Sequence, residues 1–183
     1  MSPNNVIKQF PLVRIEIKPT KILDGEVGLF STRAVSKGSV IVEAKYYSDI
    51  KILPITKFDA LDVVTKGKVL GFCPSTPKGF EVPPDLNYIS NAWYMNHSCE
   101  PNVGFNDGYD FIAIKNIKKG EELFWDYGYD ENNSRFKMKC VCGSNNCRQI
   151  ITGNDWMMLM KDKNKFKYFS PKLKKFIKSK NTK

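Results

Sequence analysis

Three cysteines crowded into eight residues constrain the fold of this chain more than any other feature of its sequence. Residues 140–147 read CVCGSNNC, a C-x-C-x4-C pattern among small, turn-forming residues. Tight loops of this kind let several thiolates converge on one ion, and Zn²⁺ prefers four such ligands in a tetrahedron. The sequence therefore predicts a metal site with a fourth ligand from elsewhere in the chain; the alternative is three unliganded thiols in a loop.

The candidates for the fourth ligand are Cys73, in a proline-rich loop, and Cys99 or His97, in the stretch YMNHSCEPN at residues 94–102. His97 is the one histidine of the chain, so a catalytic Cys/His pair is the competing interpretation of this stretch. Five cysteines, three of them clustered, fit metal ligation in a reducing intracellular setting better than a secreted disulfide framework. Four protein ligands would make the site structural, because no position remains for substrate or water.

The charge of the chain lies almost entirely at its C-terminal end. Of the net +10, residues 161–183 carry +9, from ten lysines and Asp162. A solvated tail and an electrostatic contact with nucleosomal DNA or an acidic partner are both open.

The 183 residues fit one domain. The N-terminus lacks a signal-peptide pattern, and no apolar stretch approaches the roughly 18 residues of a membrane span. We therefore expect a soluble protein that is not secreted.

Short β-rich segments at close spacing predict a β-dominated core. Residues 12–17 alternate apolar and polar side chains, and residues 28–44 give two β runs around the turn SKG, which predicts hairpin-like structure. Two further strands, DFIAI and ELFWDY, flank the turn KKGEE. Residues 51–90 differ in character, with a possible short helix followed by a proline-rich loop, and are interpreted as an insert.

The end of the chain has a helical pattern. Asn154 or Asp155 is a candidate N-cap before WMMLM, and Ser170 precedes Pro171 as the N-cap of a second helix. Phenylalanine, leucine and isoleucine side chains follow near helical spacing. They predict an amphipathic appendage packed on the core.

Four blocks then stand in one order: GLF after the turn at residues 25–30, NHSCEPN at 96–102, GEELFWDYG at 120–128, and CVCGSNNCR at 140–148. In that order and spacing they resemble the SET domain with its cysteine-rich post-SET segment. That family contains the protein-lysine methyltransferases that use S-adenosylmethionine, and this chain is most similar to its small stand-alone members. The resemblance covers about residues 12–152.

The resemblance implies a β-dominated, mixed β/α SET fold of small curved sheets, with a C-terminal pseudoknot, a zinc-binding post-SET loop and a C-terminal helical tail. The implied divisions are a SET domain at 12–130 with a variable insert at 51–90, a post-SET zinc segment at 136–152, and a basic helical extension at 153–183.

The resemblance also implies residue roles. Tyr127 would be the catalytic tyrosine, and Trp125 would line the substrate channel with it, where ring size affects how many methyl groups fit. Cys99 would be the fourth ligand of one structural Zn²⁺, beside Cys140, Cys142 and Cys147. The residues implied to bind S-adenosylmethionine are Glu26, Val27, Gly28, Asn96, His97 and Tyr127.

Three departures from the family pattern stand out. Trp93 occupies a position where arginine is frequent, and CRQI replaces the common CRG. The segment VIVEAKYYSDI lacks the frequent Y-x-G-E pattern, so both Tyr46 and Tyr47 are candidates for the tyrosine that contacts the cofactor.

The functional hypothesis is transfer of methyl groups from S-adenosylmethionine to a protein lysine, on a histone tail, at chromatin or in the nucleus. The expected partners are a histone or nucleosome, and DNA through the lysine-rich tail; no membrane is expected. The alternative is a catalytically weak SET-fold module that binds chromatin or nucleic acid. Asn96, His97 and Tyr127 favour the enzyme, because a pure binder does not need that trio. A zinc-ribbon DNA binder fits less well, because the chain has only one cysteine cluster.

Overall fold

Short β-strands build the framework of the protein. The computed structural model describes residues 14–46 and 49–181. Within these ranges the strands are β1 (Ile15–Pro19), β2 (Val27–Ser31), β3 (Val40–Val42), β4 (Lys51–Pro54), β5 (Ser75–Thr76), β6 (Gly79–Val82), β7 (Asn96–His97), β8 (Val103–Phe105), β9 (Phe111–Ala113), β10 (Glu122–Trp125), β11 (Lys137–Lys139) and β12 (Ile150–Thr152). The expected β-dominated fold with small sheets is confirmed.

The largest sheet of the described residues has the strand order β1-β2-β10-β8-β9-β3, and β7 also pairs with β10. Leu29 of β2 lies opposite Leu123 of β10 in an antiparallel pair, and both side chains are fully buried. Strand β9 adds Phe111 and Ala113 to the same core. The apolar strand segments of the sequence are therefore the centre of the fold.

Strand β10 runs parallel to both β7 and β8, with Trp125 opposite His97 on one side and Val103 on the other. Residues 98–102 join β7 directly to β8, so this short loop passes across the end of β10. The N–H of Ser98 donates to the carbonyl oxygen of Trp125 at 3.1 Å. The chain leaving β10 must cross this loop, which gives the expected knot-like crossing.

Asn102 closes this crossing with its buried carboxamide. Its nitrogen donates to the carbonyl oxygen of Glu122 at 2.7 Å, and its oxygen accepts from the N–H of Phe124 at 2.8 Å. One side chain thus satisfies a carbonyl oxygen and an N–H on one edge of β10. This role explains an asparagine at the end of the NHSCEPN stretch.

The hairpin predicted around SKG is wrong. Strand β2 pairs with β1 and β10, whereas β3 pairs with β9, where Val40 lies opposite Ile112. The N–H of Gly38 in the intervening turn donates to Ala113 at 2.8 Å. Both runs are strands as expected, but they do not pair with each other. Each pairs with a strand far away in the sequence, β10 or β9, because the apolar side chains of both runs pack into the core.

The insert between β3 and β7 has its own small sheet, in the order β4-β6-β5. It also contains helices α1 (Ile55–Asp59) and α2 (Val63–Phe72), and Asp62 caps α2 by accepting from the N–H groups of Val64 and Thr65. The expected short helix is present. The expected proline-rich loop is in part wrong, because β5 and β6 lie within it; Gly79, at φ +139°, permits the tight turn between them.

The C-terminal segment folds onto the main core as helices α3 (Trp156–Leu159), α4 (Lys163–Phe166) and α5 (Pro171–Asn181). Ser170 is the N-cap of α5, and its hydroxyl accepts from the N–H of Leu173 at 3.1 Å. Leu173, Ile177 and Phe169 are buried in the core. Asp155 precedes α3 but makes no capping hydrogen bond to it. The amphipathic appendage is confirmed.

Two lysines of α5 are engaged in ion pairs within the protein. Lys172 Nζ lies 3.1 Å from Glu81 and 2.8 Å from Asp130, and Lys174 Nζ lies 2.7 Å from Asp107. The basic tail is therefore partly neutralised by acids of the folded body. Not all of the positive charge of the tail is therefore available for binding a nucleic acid.

Among the described residues, no helix is long and apolar enough to cross a membrane. The expectations for the N-terminal residues and for Tyr47 lie outside the described residues. Tyr46 ends a 3-10 turn, Ala44–Tyr46.

Candidate functional site

A four-cysteine group forms where the loop after β7 meets the loop between β11 and β12. The ligand atoms of Cys99, Cys140, Cys142 and Cys147 all lie within 4.8 Å of one another. Strands β11 and β12 pair in antiparallel register, and the N–H of Cys140 donates to Gln149 at 2.7 Å. This pairing folds the C-x-C-x4-C segment back on itself, so that its three thiols face Cys99.

The geometry of this group fits a tetrahedral metal site. Four thiolates bound at about 2.3 Å from one Zn²⁺ would lie about 3.8 Å apart, and Cys99 Sγ and Cys140 Sγ are 3.8 Å apart. Backbone N–H groups of Arg148 and Gln149 donate to Cys99 Sγ and Cys147 Sγ at 3.3 and 3.4 Å. Such donors stabilise sulfur in its anionic, metal-binding form. Cys73 is buried at the end of α2, outside the group.

The tight return of the cysteine loop requires an unusual backbone conformation after Arg148. Gln149 has φ +65°, in the left-handed region that favours glycine. The family pattern CRG has glycine at this position, whereas this chain has glutamine. The loop therefore keeps the conformation that a glycine would favour, at the cost of strain at Gln149.

His97 is buried between the cysteine group and Tyr127. Its Nδ1 accepts from the Tyr127 N–H at 3.2 Å, and its Nε2 lies 3.5 Å from Cys99 Sγ. Burial lowers the pKa of His97 to about 4, so the ring is neutral near pH 7, and the hydrogen bond assigns the proton to Nε2. Both ring nitrogens therefore contact groups of the protein itself, and a contact of His97 with a cofactor stays a prediction.

Tyr127 is held at its backbone and ring, while its hydroxyl has no hydrogen-bond partner within residues 14–46 and 49–181. It begins the 3-10 turn Tyr127–Tyr129 directly after β10, and its ring centroid lies 5.0 Å from Trp125 and 5.1 Å from His97. Across the described ranges, no protein group hydrogen-bonds its hydroxyl. Burial raises the pKa of Tyr127 to about 12, so the phenol stays neutral near pH 7. Its hydroxyl can donate to, or accept from, a bound group.

Trp125 forms an aromatic wall beside this hydroxyl. Its indole N–H donates to the carbonyl oxygen of Met95 at 3.2 Å, and its ring meets Phe105 and Phe111 edge-on at 5.4 and 5.6 Å. The side chain therefore packs on the core with one part and approaches Tyr127 with another. These contacts are those of a core residue, and the role of Trp125 in a substrate channel stays a prediction.

The residues implied to bind the cofactor meet at the junction of β2 and β7. The carboxamide nitrogen of Asn96 donates to the carbonyl oxygen of Val27 at 2.9 Å and lies 3.3 Å from Glu122 Oε1. A Cβ at Gly28 would lie 2.1 Å from that same oxygen, so a larger residue here would displace the Glu122 carboxylate from its hydrogen bonds. Glu26 is exposed beside them.

Glu122 was missed as a site residue at the level of sequence. Its buried carboxylate accepts from Asn96 and from the hydroxyl of Thr20, the latter at 2.7 Å. Its position in GEELFWDYG was a signal, since a carboxylate inside an apolar strand must have partners.

A buried ion-pair network also escaped the sequence analysis. Arg148 donates from both terminal nitrogens to Asp126, each at 2.7 Å, and its Nε lies 2.9 Å from Asp155. Asp126 is 1% exposed and also accepts from the Gly128 N–H at 2.9 Å. The two sequence signals were an acid directly before Tyr127 and an arginine directly after Cys147.

Comparison with known proteins assigns the class. The sequence model described as "SET domain" matches residues 26–128, more than half of the chain. Histone-lysine N-methyltransferase 2B of Homo sapiens is 31% identical over 131 residues, which cover 68% of this chain and 5% of that protein. Histone-lysine N-methyltransferase 2D of Homo sapiens is 43% identical over 65 residues, 32% of this chain and 1% of that protein.

A plant relative completes the comparison. Histone-lysine N-methyltransferase, H3 lysine-9 specific SUVH1 of Nicotiana tabacum is 44% identical over 66 residues, 30% of this chain and 9% of that protein. The matches to these three relatives thus cover less than a tenth of each relative's length. The β-rich fold with its crossing at β10 and its cysteine group defines a SET-type domain. The chain belongs to the SET domain family.

Proposed function

We propose that this protein is a protein-lysine methyltransferase that uses S-adenosylmethionine. The observation that carries the proposal is the Tyr127 hydroxyl, which has no partner among the described residues although His97 anchors its backbone and Trp125 packs on its ring. A fixed, unpaired phenol beside an aromatic wall suits the orientation of a lysine amine.

The proposed cofactor site is the junction of β2 and β7. Asn96 ties β7 to Val27, and Gly28 permits the close approach of this strand to Glu122. We assign cofactor binding to Glu26, Val27, Gly28 and Asn96, with the backbone of His97. When bound, the cofactor supplies a methyl group on a positively charged sulfur.

Positioning provides most of the proposed catalysis, because holding two reactants in line removes much of the entropic barrier. The hydroxyl of Tyr127, neutral near pH 7, accepts one hydrogen bond from an N–H of the amine and thereby orients the nitrogen while its lone pair stays available for attack. The aromatic wall of Trp125 excludes water and disfavours the charged ammonium. The indole N–H is occupied by Met95, so it cannot hold a water in the channel; we expect this to permit transfer of more than one methyl group.

We assign the four-cysteine group to one structural Zn²⁺. The four ligands are Cys99, Cys140, Cys142 and Cys147, and four thiolates leave no coordination position for a reactant. The ion would fix the post-SET segment, residues 136–152, beside the SET domain proper at 12–130, and we assign residues 153–183 to a basic C-terminal extension.

A histone tail is the proposed substrate, and chromatin or the nucleus is the proposed location. The relatives' names describe histone-lysine methyltransferases, and the lysine-rich C-terminal segment would add affinity for the DNA of a nucleosome.

The test is mass spectrometry of core histones, and of a mixture of non-histone proteins, after incubation with the protein and S-adenosylmethionine. The proposal expects mass increments of methyl groups on lysine. Cofactor binding without methyl transfer to any lysine would favour the binding module instead, and no binding of cofactor would refute the methyltransferase.

A further inference from the structure

We propose that Arg148 is a positioning residue that couples the cysteine group to Tyr127. This inference rests on the proposed methyltransferase function, and it goes beyond it by assigning a role to the buried network of Asp126, Arg148 and Asp155. None of these three side chains belongs to the proposed ligands or to the groups that touch the reactants.

Arg148 is bound at both of its ends. Its backbone N–H donates to Cys99 Sγ at 3.3 Å, so the position of its main chain depends on the cysteine group. Its side chain, 14% exposed, makes a two-pronged contact with Asp126. A planar guanidinium matches the two oxygens of a carboxylate in a way that an ammonium cannot.

Asp126 transmits this contact to Tyr127. It is the N-cap of the turn that begins with Tyr127, where its Oδ1 accepts from the Gly128 N–H. The same Oδ1 lies 3.8 Å from His97 Nδ1, the atom that accepts from the Tyr127 N–H. The turn is thus held by two acceptors, His97 Nδ1 at the Tyr127 N–H and Asp126 Oδ1 at the Gly128 N–H, and Arg148 fixes the Asp126 carboxylate that lies beside both.

The charges show why the network acts as a unit. One guanidinium faces two carboxylates, Asp126 and Asp155, which are 1% and 11% exposed at their side chains. If Arg148 withdraws, Asp126 remains as a buried charge with an N–H donor from Gly128, and the turn must rearrange to solvate it. Release of the metal would loosen Cys99 and Cys147 and withdraw Arg148 in the same way. Metal binding and the position of Tyr127 should therefore depend on each other.

The test compares the full-length variants Arg148→Lys and Asp126→Asn with wild type and with Arg135→Lys as a matched control. Arg135 is an exposed arginine just before β11. Lysine keeps the charge without the two-pronged contact, and asparagine can still cap the turn without the charge. We expect both network variants to fold, to contain one zinc per chain, and to lose kcat at least tenfold with KM for both substrates within twofold. The control should match wild type.

Zinc release to a chromogenic chelator provides the second measurement. We expect release at least fivefold faster in both network variants, although neither changed side chain touches a sulfur atom. Unchanged release and a kcat within twofold of wild type would overturn the proposal. The proposal would also be overturned if the network variants melted at a lower temperature than wild type but reached the wild-type kcat when assayed well below that temperature. That result would indicate only a structural role for the network. If wild type transfers no methyl group, the proposed function fails. The rates of zinc release still test whether Arg148 and Asp126 are coupled to the cysteine group.

Discussion

Replacing Lys172 with methionine should destabilise the protein, because two partly buried carboxylates lose their positively charged partner. Lys172 Nζ joins α5 to Glu81 of β6 and to Asp130, which follows the Tyr127 turn. Its side chain is 35% exposed, and those of Glu81 and Asp130 are 16% and 15% exposed. Asp130 Oδ1 is already buried without a hydrogen-bond partner in the described residues.

The expected cost lies between two limits. An exposed pair contributes about 0–1 kcal/mol, and breaking a fully buried pair costs about 3–5 kcal/mol. For this partly buried triad we expect a loss of about 2 kcal/mol in the free energy of unfolding. Methionine and lysine have similar helix propensity, so α5 itself should be unaffected.

The pH dependence follows from the pKa of Lys172. Burial lowers this pKa, but the carboxylates of Asp130 and Glu81 raise it by more, so the net shift is upward. A raised pKa gives stability that is complete below the unfolded value of about 10.4 and is lost only as pH rises through the folded value. The stability that depends on the titration of Lys172 itself should therefore stay constant between about pH 6 and 9. Glu131, whose pKa burial raises to about 7 and the charge of Lys172 lowers, adds a pH dependence within that range.

Urea unfolding followed by tryptophan fluorescence measures this difference. Lys175→Met, an exposed change on the same helix, is the control and should cost less than about 0.5 kcal/mol. Adding Asp130→Asn to Lys172→Met should recover part of the loss. The reasoning is refuted if Lys172→Met resembles the control, or if about 0.5 M salt abolishes the difference, because that is the behaviour of a solvated pair.

Three shorter predictions concern the cysteine loop and the tail. Purified protein should contain one zinc per chain; changing Cys142 and Cys147 together to serine should abolish it, while Cys73→Ala should retain it, and metal analysis decides. Gln149→Gly should raise the melting temperature through a gain of about 1 kcal/mol, because glycine relieves the strain of φ +65°; a lower melting temperature would show that the glutamine side chain is needed. Neutralising Lys175 and Lys178 with glutamine should weaken binding to nucleosomes at low salt and reduce its salt dependence; equal binding at every salt concentration would contradict a role of the tail in DNA contact.

Local sequence signals predicted the elements of this fold better than their partners. The cap at Ser170, the turn before β10 and the apolar strands depend on neighbouring residues, and the structure confirms them. The pairing of β3 with β9 and the small β4-β6-β5 sheet depend on contacts far away in the chain. A propensity-based interpretation therefore placed a hairpin where none forms.

In the candidate site, too, the sequence predicted features that depend on neighbouring residues and missed those that depend on distant ones. The cysteine spacing identified the segment that forms the metal group, and the motif order identified the surroundings of Tyr127. Arg148, Glu122 and Lys172 have roles that depend on burial beside a charge from a distant segment. Glu122 lies inside an apolar strand and Arg148 directly follows a cysteine, but nothing local identifies the distant group that either residue pairs with, because charged residues in a sequence are usually exposed.

Single-turnover methyl transfer by wild type and Tyr127→Phe, combined with calorimetric titration of S-adenosylmethionine, tests the central claim most directly. The variant keeps the ring and removes only the unpaired hydroxyl, so its transfer rate should fall about 30- to 1,000-fold, the equivalent of 2–4 kcal/mol of transition-state stabilisation. Its affinity for the cofactor should stay within about twofold of wild type, whereas Asn96→Ala should weaken that affinity. Transfer by Tyr127→Phe at the wild-type rate, or cofactor binding by wild type without transfer to any lysine, would contradict the assignment.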